Sequence, residues 1–536
     1  MNPWRARPAI GALVIVYALK LLFPVLVVMA LVFALVRPAF RELLGLDGFR
    51  RAAIVLALAT VVAFLGHDLG IVMLALALVG AWAGKYLGGG VRGRLAAMVL
   101  IVLTMPPVHY QIDGFAGINR FVDLTTIRVL SLTLLTGLAL RLLGTAKPAR
   151  PSWMVVIDCG FFGYQLLKLA LQFPHNSTTG LLRSAVETTL DILLPYYVFS
   201  RGIRSREDLR FILSHVAFAG VFAAGIACTE SMLHRNLYEG LQWVYAYRWQ
   251  LTLALTRGDH LRVQAMTAQP ILLAFELIFT IGIWTYLCGA AWRRRPVLIV
   301  FAMLIAALIF TWSRGPWLGA IGFGLCLLGA RKLPPRVFGA LLIGALGFAV
   351  IAKALGADAI VMDALAGMFG GDAANLATID YRRLLLDTAM ALVKQSPWLG
   401  VPDYASQMQD LKQGEGIIDI VNSYVAIALD AGLIGLVLYL TPYVVTISRM
   451  LGTVGPTAAA KPDGPLGVAF SAVFMSMTVA LLCTIFTTST FAVMPFLLTL
   501  LVALPVARLS MPAQEASLAS EGNSPLKSHR ISFGAR

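Results

Sequence analysis

Apolar runs long enough to cross the hydrocarbon core of a bilayer, roughly 30 Å, recur along the chain from Ala9 to Leu509. The polar stretches between them are short, and the longest covers residues 354–422. We therefore predict an all-α fold, a polytopic bundle of about 12–16 transmembrane helices. The span count stays a range because residues 52–66 and 71–84 are short enough to be re-entrant.

The first apolar run, from Ala9 to Val36, is about twice as long as the apolar core of a signal peptide. It is therefore predicted to be the first membrane segment. Lys20 and Pro24 lie inside it, so a single crossing and a short folded-back hairpin both stay open.

The composition agrees with a membrane protein. Hydrophobic residues make up 59% of the 536 residues and charged residues only 13%, whereas soluble domains carry about 25% charged residues. The net charge of +16 would favour a nucleic-acid partner in a soluble protein, but here Lys and Arg gather in short segments between spans. The five cysteines lie in apolar segments without a CxxC pair, so neither a disulfide framework nor a zinc site is indicated.

The basic segments predict the orientation of the chain, because loops rich in Lys and Arg stay in the cytoplasm. Five segments carry three or more basic residues, namely 85–94, 141–151, 201–210, 292–296 and 331–336. Alternation then places residues 231–266, 311–316 and 354–422 on the external face. The loop 354–422 carries nine acidic and four basic residues, which agrees with that assignment.

Three regions follow from this pattern. Residues 1–250 form N-terminal membrane spans, and residues 251–509 form a second membrane region that contains the loop 354–422. The tail, residues 510–536, is rich in Ser, Pro and Gly and is predicted to be disordered and cytoplasmic. No internal repeat is visible, so the sequence gives no support for an inverted-repeat transporter.

The stretch FTWSRGPWLG, residues 310–319, places an arginine between two apolar runs. We interpret it as the external turn of a helical hairpin, with Gly315 and Pro316 making the turn and Pro316 opening the returning helix. The alternative is one kinked helix of about 35 residues, but it would put Arg314 near mid-bilayer at a cost of several kcal/mol.

Arginines on the external face need an explanation, since the positive-inside rule disfavours them. Guanidinium groups offer paired donors that match phosphate oxygens, so convergent arginines at a membrane surface indicate a lipid phosphate or diphosphate. Arg235, Arg248 and Arg257 are typical of solvated or headgroup-contacting residues, whereas the contexts of Arg262, Arg314 and Arg382 favour a functional role.

A surface helix is predicted inside the external loop. Thr378 can cap it and Pro397 ends it, which gives about 16 residues. Its polar and apolar side chains separate onto two faces, with Asp380, Arg383 and Asp387 on one and Leu385, Ala389 and Leu392 on the other, while Arg382 lies at its start. Further along, Asn422 and Tyr424 stand at the mouth of the next span.

The ordered set of Arg262 with Pro270, TWSRGPWL, YRRLLLDTAMAL…SPWLGV and NSYVAIALDAGLIGL resembles the bacterial O-antigen ligase and O-antigen polymerase superfamily, over about residues 255–445. The resemblance implies a GT-C-like glycosyltransferase that takes a glycan from undecaprenyl diphosphate at the external face of the inner membrane and attaches it to a sugar hydroxyl. It also implies that Arg262 and Arg382 bind the diphosphate, and that no metal ion or cofactor is required.

Four positions depart from the family pattern. Val421 stands where the family ligases have a histidine that acts on the acceptor hydroxyl. Ala265 replaces an expected glycine, and Ile271 and Pro402 replace an asparagine and a second glycine. These departures favour a polymerase over a ligase that transfers glycan to lipid A core, although the ligase stays open.

The acceptor hydroxyl needs a base, and carboxylates near the site are the candidates. We select Asp419, three residues before Asn422, ahead of Asp380, which is expected to orient an arginine. His109, His234 and His260 are weaker alternatives. The candidate site thus comprises Arg262, Arg382 and Asp419 as catalytic residues and Arg314, Arg383, Asp380, Asn422 and Tyr424 as substrate-binding residues.

Two further interpretations stay open. The aromatic side chains of Tyr238, Trp243, Tyr245, Tyr247 and Trp249 are typical of an interfacial belt, although they could stack on sugar rings. A carrier for anions or lipid-linked sugars is a competing function, but it would need ionisable groups deep in spans, and the main ones are Asp158, Glu187, Asp191 and Glu276. For the polymerase, the expected partners are the lipid-linked glycan, an acceptor glycan, a flippase and a chain-length regulator.

Overall fold

A computed structural model describes residues 7–66, 68–114, 120–144, 151–241, 254–288, 293–334, 336–337, 339, 373–412, 418, 420–454 and 470–522. Within these ranges the protein is a bundle of helices with two short β-hairpins. The predicted all-α polytopic membrane fold is confirmed.

The described ranges contain 17 α-helices. In chain order they are α1 (Arg7–Leu65), α2 (Leu69–Tyr86), α3 (Gly90–Thr104), α4 (Thr126–Leu130), α5 (Thr136–Gly144), α6 (Ser152–Gln172), α7 (Thr178–Thr188), α8 (Leu194–Gly202), α9 (Arg206–Leu233), α10 (Pro270–Cys288), α11 (Arg295–Phe310), α12 (Arg314–Lys332), α13 (Ala373–Gln395), α14 (Tyr404–Gln407), α15 (Ser423–Leu451), α16 (Phe470–Ile485) and α17 (Met494–Gly522). Two π-helical segments, Ser131–Leu135 and Thr189–Leu193, join α4 to α5 and α7 to α8.

The strands form two antiparallel hairpins outside the helical bundle. The first pairs β1 (His109–Asp113) with β2 (Arg120–Thr125). The second pairs β3 (Thr256–Arg257) with β4 (His260–Leu261) and leads directly to Arg262.

Among the described residues, eight helices are long and apolar enough to cross a membrane. They are Ile15–Leu65, Leu69–Tyr86, Thr126–Gly144, Ser152–Gln172, Arg206–Leu233, Pro270–Cys288, Ser423–Leu451 and Met494–Met511. Two shorter apolar helices, Arg295–Phe310 and Phe470–Ile485, accompany them. The surface helix predicted in the external loop corresponds to α13, which is not one of the eight.

The N-terminal run from Ala9 to Val36 lies within the single helix α1, so the folded-back hairpin is excluded. Two prolines, Pro24 and Pro38, are inside this helix, and its non-helical kink is further along, at Gly45. At the other end of the chain, α17 continues to Gly522. The tail predicted to be disordered, residues 510–536, thus begins within this helix, and residues 523–536 lie outside the described part.

The core is built around α9 and α10, which are packed against each other and are almost entirely buried. Close approach depends on small residues in α9, because a Cβ at Gly220 would overlap Thr280 of α10. Large rings such as Phe222, Phe275 and Trp284 fill the surrounding space. This rigid centre carries the residues that lead into and out of the Arg262 segment.

Three more helix pairs position the rest of the site. α12 lies along α16, α15 lies along α6, and α17 lies along α8. α13 packs on the beginning of α15. As a result, the segment that precedes α10 and the segments that follow α11 and α16 are held by neighbouring helices of one bundle.

Candidate functional site

The SRGPW stretch is a break between two helices, as the hairpin interpretation predicted. α11 ends at Phe310 and α12 begins at Arg314, so Thr311, Trp312 and Ser313 form the turn. Trp312 has a left-handed backbone, with φ of 49°, and the Trp317 indole nitrogen donates to the Leu308 carbonyl at 2.9 Å. The turn therefore lies three residues earlier than predicted.

Gly315 and Pro316 lie in the first turn of α12 instead of forming the reversal. Pro316 is tolerated there because the first amides of a helix have no intrahelical acceptor. Gly315 is required by packing, since a Cβ at this position would overlap Thr487 Oγ1 and one at Gly319 would overlap Thr484 Oγ1. The two glycines let α12 approach the end of α16.

Arg262 contacts this turn directly. Its Nη2 donates to Ser313 Oγ at 3.1 Å and its Nε to the Thr311 carbonyl at 3.3 Å. The hairpin before it adds two contacts, because Arg257 Nη1 donates to the Trp312 carbonyl at 2.7 Å and the His260 ring stacks on Trp312. The sequence predicts one site that contains Arg262 and the SRG motif, residues 313–315, and the structure brings them into hydrogen-bonding contact.

Glu230, which no sequence motif marks, holds the segment that follows Arg262. Its carboxylate is fully buried and accepts main-chain N–H groups from Leu237 at 2.9 Å, Gln264 at 3.1 Å and Ala265 at 2.8 Å. The available signal in the sequence was a single acidic residue near the end of the apolar helix α9, because a buried carboxylate needs hydrogen-bond donors as partners.

Ala265 explains one departure from the family pattern. Its φ is 47°, and that of Ala268 is 63°, a region that glycine occupies without strain and alanine does not. The family glycine expected at this position thus corresponds to a left-handed residue. Here alanine occupies it, and Glu230 accepts the Ala265 amide.

Asn422 and Tyr424 begin α15, as predicted, but their side chains have structural partners. Asn422 Oδ1 caps the helix by accepting from the amides of Tyr424 at 3.0 Å and Val425 at 3.3 Å. The Tyr424 hydroxyl donates to the Leu482 carbonyl at 2.8 Å, and the Ser423 hydroxyl donates to the Thr488 carbonyl at 2.8 Å. The mouth of α15 is therefore fixed to the end of α16.

The helix that carries Arg382 begins earlier than predicted. α13 starts at Ala373, not after Thr378, and ends at Gln395 before Pro397 as expected. Its apolar face is confirmed, because Leu385, Ala389 and Leu392 are buried against a cluster that includes Val425 and Leu429. This packing joins α13 to the beginning of α15.

The arginines and acids of α13 are located only by their place in the helix. Asp380, Arg382 and Arg383 lie in its first half, and their side chains are outside the described part of the structure. Tyr381 between them donates from its hydroxyl to the Leu411 carbonyl at 2.7 Å. Asp419 lies outside the described residues altogether.

The motifs SPWLGV and ALDAGLIGL form one contact. α15 has a kink at Gly432, with φ of 65°, and a Cβ there would overlap the Trp398 carbonyl oxygen. Val401 donates its amide to the Leu429 carbonyl at 2.7 Å, and Leu433 donates to the Pro397 carbonyl at 2.8 Å. The turn after α13 thus docks in the kink of α15.

Residues 482–488, at the end of α16, connect these elements, and no sequence motif marked them. Thr487 abuts Gly315, Thr488 accepts from Ser423, and Leu482 accepts from Tyr424. The SRG turn in turn contacts Arg262, and α15 packs against α13. Arg262, Arg314, Asn422 and the helix bearing Arg382 therefore belong to one continuous set of contacts.

Other sequence candidates have different surroundings. Tyr238 is a core residue, 1% exposed and packed on Phe64, so it belongs to neither an aromatic belt nor a stacking platform. Burial raises its pKa. Trp243, Tyr245, Tyr247 and Trp249 lie outside the described residues.

Three of the four intramembrane acids are engaged in ion pairs. Asp158 pairs with Arg201 at 2.6 Å, and Arg128 pairs with Asp191 at 2.8 Å and with Glu187 at 3.1 Å. Such pairs tie neighbouring helices together. Among the described residues, no group of three or more His, Cys, Asp and Glu side chains is arranged to hold a metal ion.

Residues 298–440 match the family model described as O-Antigen ligase. The matched region runs from α11 into α15, so it includes the SRG turn, α13 and the cap of α15, whereas Arg262 precedes it. A search of curated proteins finds no match. Residues 298–440 of this membrane protein are therefore similar to the O-antigen ligase family, which supports membership of the O-antigen ligase and polymerase superfamily and, in general, a ligase- or polymerase-type function.

Proposed function

We propose that the protein is a glycosyltransferase that polymerises undecaprenyl-diphosphate-linked oligosaccharide units into a surface polysaccharide, either an exopolysaccharide or an O-antigen. The reaction takes place on the external face of the bacterial inner membrane. One observation carries the proposal. Arg262 hydrogen-bonds the SRG turn, which lies in the family-matched region, and both that turn and the cap of α15 contact residues 482–488.

In the proposed reaction the acceptor hydroxyl attacks the anomeric carbon of the donor glycan. The bond from this carbon to the diphosphate oxygen breaks, and undecaprenyl diphosphate leaves with the electron pair. Arg262 and Arg382 hold the diphosphate and stabilise its growing negative charge, with Arg314 and Arg383 beside them. Because guanidinium groups supply this charge, the step is proposed to need neither a metal ion nor a cofactor.

The hydroxyl proton goes to a carboxylate, for which Asp419 is the first candidate and Asp380 the second. Asn422 and Tyr424 support this subsite through the helix cap and the Leu482 contact. Val421 stands where the family ligases have their histidine, which is why a polymerase is preferred. The ligase that transfers glycan to lipid A core is the second candidate, because the matching family model is described as O-Antigen ligase.

Substitution of either principal arginine tests the proposal. In a strain whose chromosomal copy is deleted, Arg262→Ala or Arg382→Ala is expected to lower polymer formation by about 10²–10³, as for loss of one preorganised donor. The lipid-linked repeat unit should accumulate, and both species are measured on gels and by mass spectrometry of the lipid extract.

Arg235 gives a matched control, because it is exposed in the same region between α9 and α10 and is not expected to contact the diphosphate. Arg235→Ala should leave chain length unchanged. Normal polymer in both the Arg262 and the Arg382 variants would end the proposal. Long carrier-linked polymer together with bare lipopolysaccharide in the deletion strain would instead identify the ligase. As a polymerase, the protein is expected to work beside a flippase and a chain-length regulator.

A further inference from the structure

A cavity of about 660 Å³ lies beside the Arg262 segment, between α3, α6, α7 and α10. Its volume is within the range of about 300–1,000 Å³ that is typical of small-molecule sites. The polar side chains that matter for its chemistry are those of Arg128, Lys168, Glu187, Asp191, Gln269 and Glu276. Gln269 and Glu276 connect the cavity to the chain that follows Arg262.

Glu276 is the exceptional member of this set. It is 1% exposed, lines the cavity from α10, and neither of its carboxylate oxygens has a hydrogen-bond partner within the described part of the chain. A buried carboxylate without a donor is costly, so a site that keeps one is expected to receive donors from a ligand.

The charges around the cavity argue against an anionic ligand. Arg128 is paired with both Glu187 and Asp191, and Lys168 is paired with Asp430 at 2.7 Å. The two basic groups are therefore compensated, and Glu276 adds no cation. A phosphate or diphosphate would find no uncompensated cation among these groups, whereas a neutral ligand rich in hydroxyl donors would match the carboxyl and amide oxygens.

The backbone near the cavity is also irregular. Asp191 lies in the π-helical segment Thr189–Leu193, and Arg128 precedes the π-helical segment Ser131–Leu135. The two segments touch, and the Ser131 hydroxyl donates to the Leu190 carbonyl at 2.7 Å. Such segments recur at functional sites, so the helices that bound the cavity share a feature with ligand-binding regions.

The cavity lies outside the region that the family model matches. Its described lining residues belong to the ranges 102–192, 267–276 and 491–496, and none falls within 298–440. The cavity is therefore separate from the region that carries the family match.

We propose that this cavity binds a saccharide unit of the acceptor glycan, with Glu276 accepting hydrogen bonds from its hydroxyl groups. The inference rests on the proposed polymerase function and names a second subsite for it, distinct from the diphosphate site at Arg262. Arg128 and its two carboxylates fix the opposite wall, and Gln269 adds an amide to the same subsite.

Binding to purified full-length protein in detergent tests this subsite. The probe is the oligosaccharide repeat unit released by mild acid from the carrier lipid of a strain that lacks the protein. Calorimetry should detect binding to the native protein, and Glu276→Gln should weaken it about tenfold or more, as expected when one acceptor oxygen of the subsite is replaced by an amide donor. Ser184→Trp, on a helix without buried residues, should narrow the cavity and weaken binding without disturbing the fold.

Thr280→Val is the matched control, because Thr280 lies one turn from Glu276 and also has an unpartnered buried oxygen, yet it does not line the cavity. It should bind the probe like the native protein. Arg262→Ala should also bind it, since the released oligosaccharide has no diphosphate. Unchanged binding in Glu276→Gln, or no binding to the native protein, overturns this inference alone, whereas normal polymer in the Arg262 and Arg382 variants overturns the polymerase.

Discussion

Arg262 shows how a single side chain can join two motifs that are about 50 residues apart in the sequence. Its guanidinium donates to Thr311 and Ser313, next to Arg314 at the start of α12. The sequence predicted that these arginines share a site, because both interrupt external segments of an apolar chain. It did not predict that the turn itself is an acceptor for Arg262, since Ser313 carries no pattern that distinguishes it from a solvated serine.

Glu230 gives a prediction at the residue scale. Its carboxylate accepts three main-chain amides and so fixes the path of residues 264 and 265. Glu230→Gln replaces one acceptor oxygen by a donor that faces these amides, and a lost hydrogen bond to a charged group is worth about 1.5–3 kcal/mol. We expect a lower melting temperature in detergent and reduced polymer, measured by a thermal unfolding assay and by gel.

Glu239→Gln is the control for this prediction, because Glu239 is a partly exposed acid nearby and is not one of the acceptors of that segment. It should melt like the native protein. If Glu230→Gln had the same melting temperature as the native protein and formed the same amount of polymer, the Glu230 carboxylate would not be what holds the Arg262 segment.

At the scale of elements, the most informative contact is that between the turn after α13 and the kink of α15. The sequence predicted a surface helix with a buried apolar face, and Leu385 and Ala389 confirm it. The docking of Trp398 and Gly400 against α15 was not predictable, because a sequence motif does not show which residues contact each other in the fold. The structure supplies the physical reason, which is backbone contact at Gly432.

Gly432→Ala is predicted to undock this turn. The left-handed backbone costs a non-glycine residue about 1–2 kcal/mol, and the added Cβ would overlap the Trp398 carbonyl oxygen. We expect faster trypsin cleavage at Lys394 or Lys412, on either side of the docked turn, and loss of polymer because α13 carries Arg382. Cleavage is followed by mass spectrometry.

Gly322→Ala provides the comparison, since a Cβ at Gly322 of α12 meets nothing within 4 Å and alanine favours a helix. It should leave the cleavage rate and the polymer unchanged. Native cleavage kinetics in Gly432→Ala would show that the turn is held by other contacts.

For the whole molecule, the apolar pattern was sufficient to predict the fold class, because a chain in a bilayer must satisfy its backbone within helices. It was not sufficient for the ends of elements. The predicted start of α13 failed because Thr378 is a good capping residue inside a helix that begins at Ala373. The Ser, Pro and Gly content of residues 510–536 favoured disorder, whereas α17 continues to Gly522.

The candidate site was likewise predictable from the sequence only in part. The arginines stood out, since charge is rare in this chain and each one demanded a partner. Glu230 and residues 482–488 did not, because an acid at a helix end and a run of threonines have ordinary structural explanations. The cavity beside Glu276 depends on helices that are distant in the sequence, and only tertiary packing brings them together.

The orientation of the whole molecule gives the last prediction. The basic segments place His175 and Arg235 outside and Arg204 and Arg331 in the cytoplasm, and all four side chains are exposed. Single cysteines at these positions, in a background whose five native cysteines are alanine, should divide into two classes. A membrane-impermeant maleimide added to intact spheroplasts should label the first two, whereas the other two should react only after lysis. Labelling of Arg204→Cys or Arg331→Cys in intact spheroplasts would show that the topology is the reverse of the predicted one. The Arg262 segment follows Arg235 without an intervening span among the described residues, so it would then face the cytoplasm. A polymerase of externally displayed repeat units could not act there.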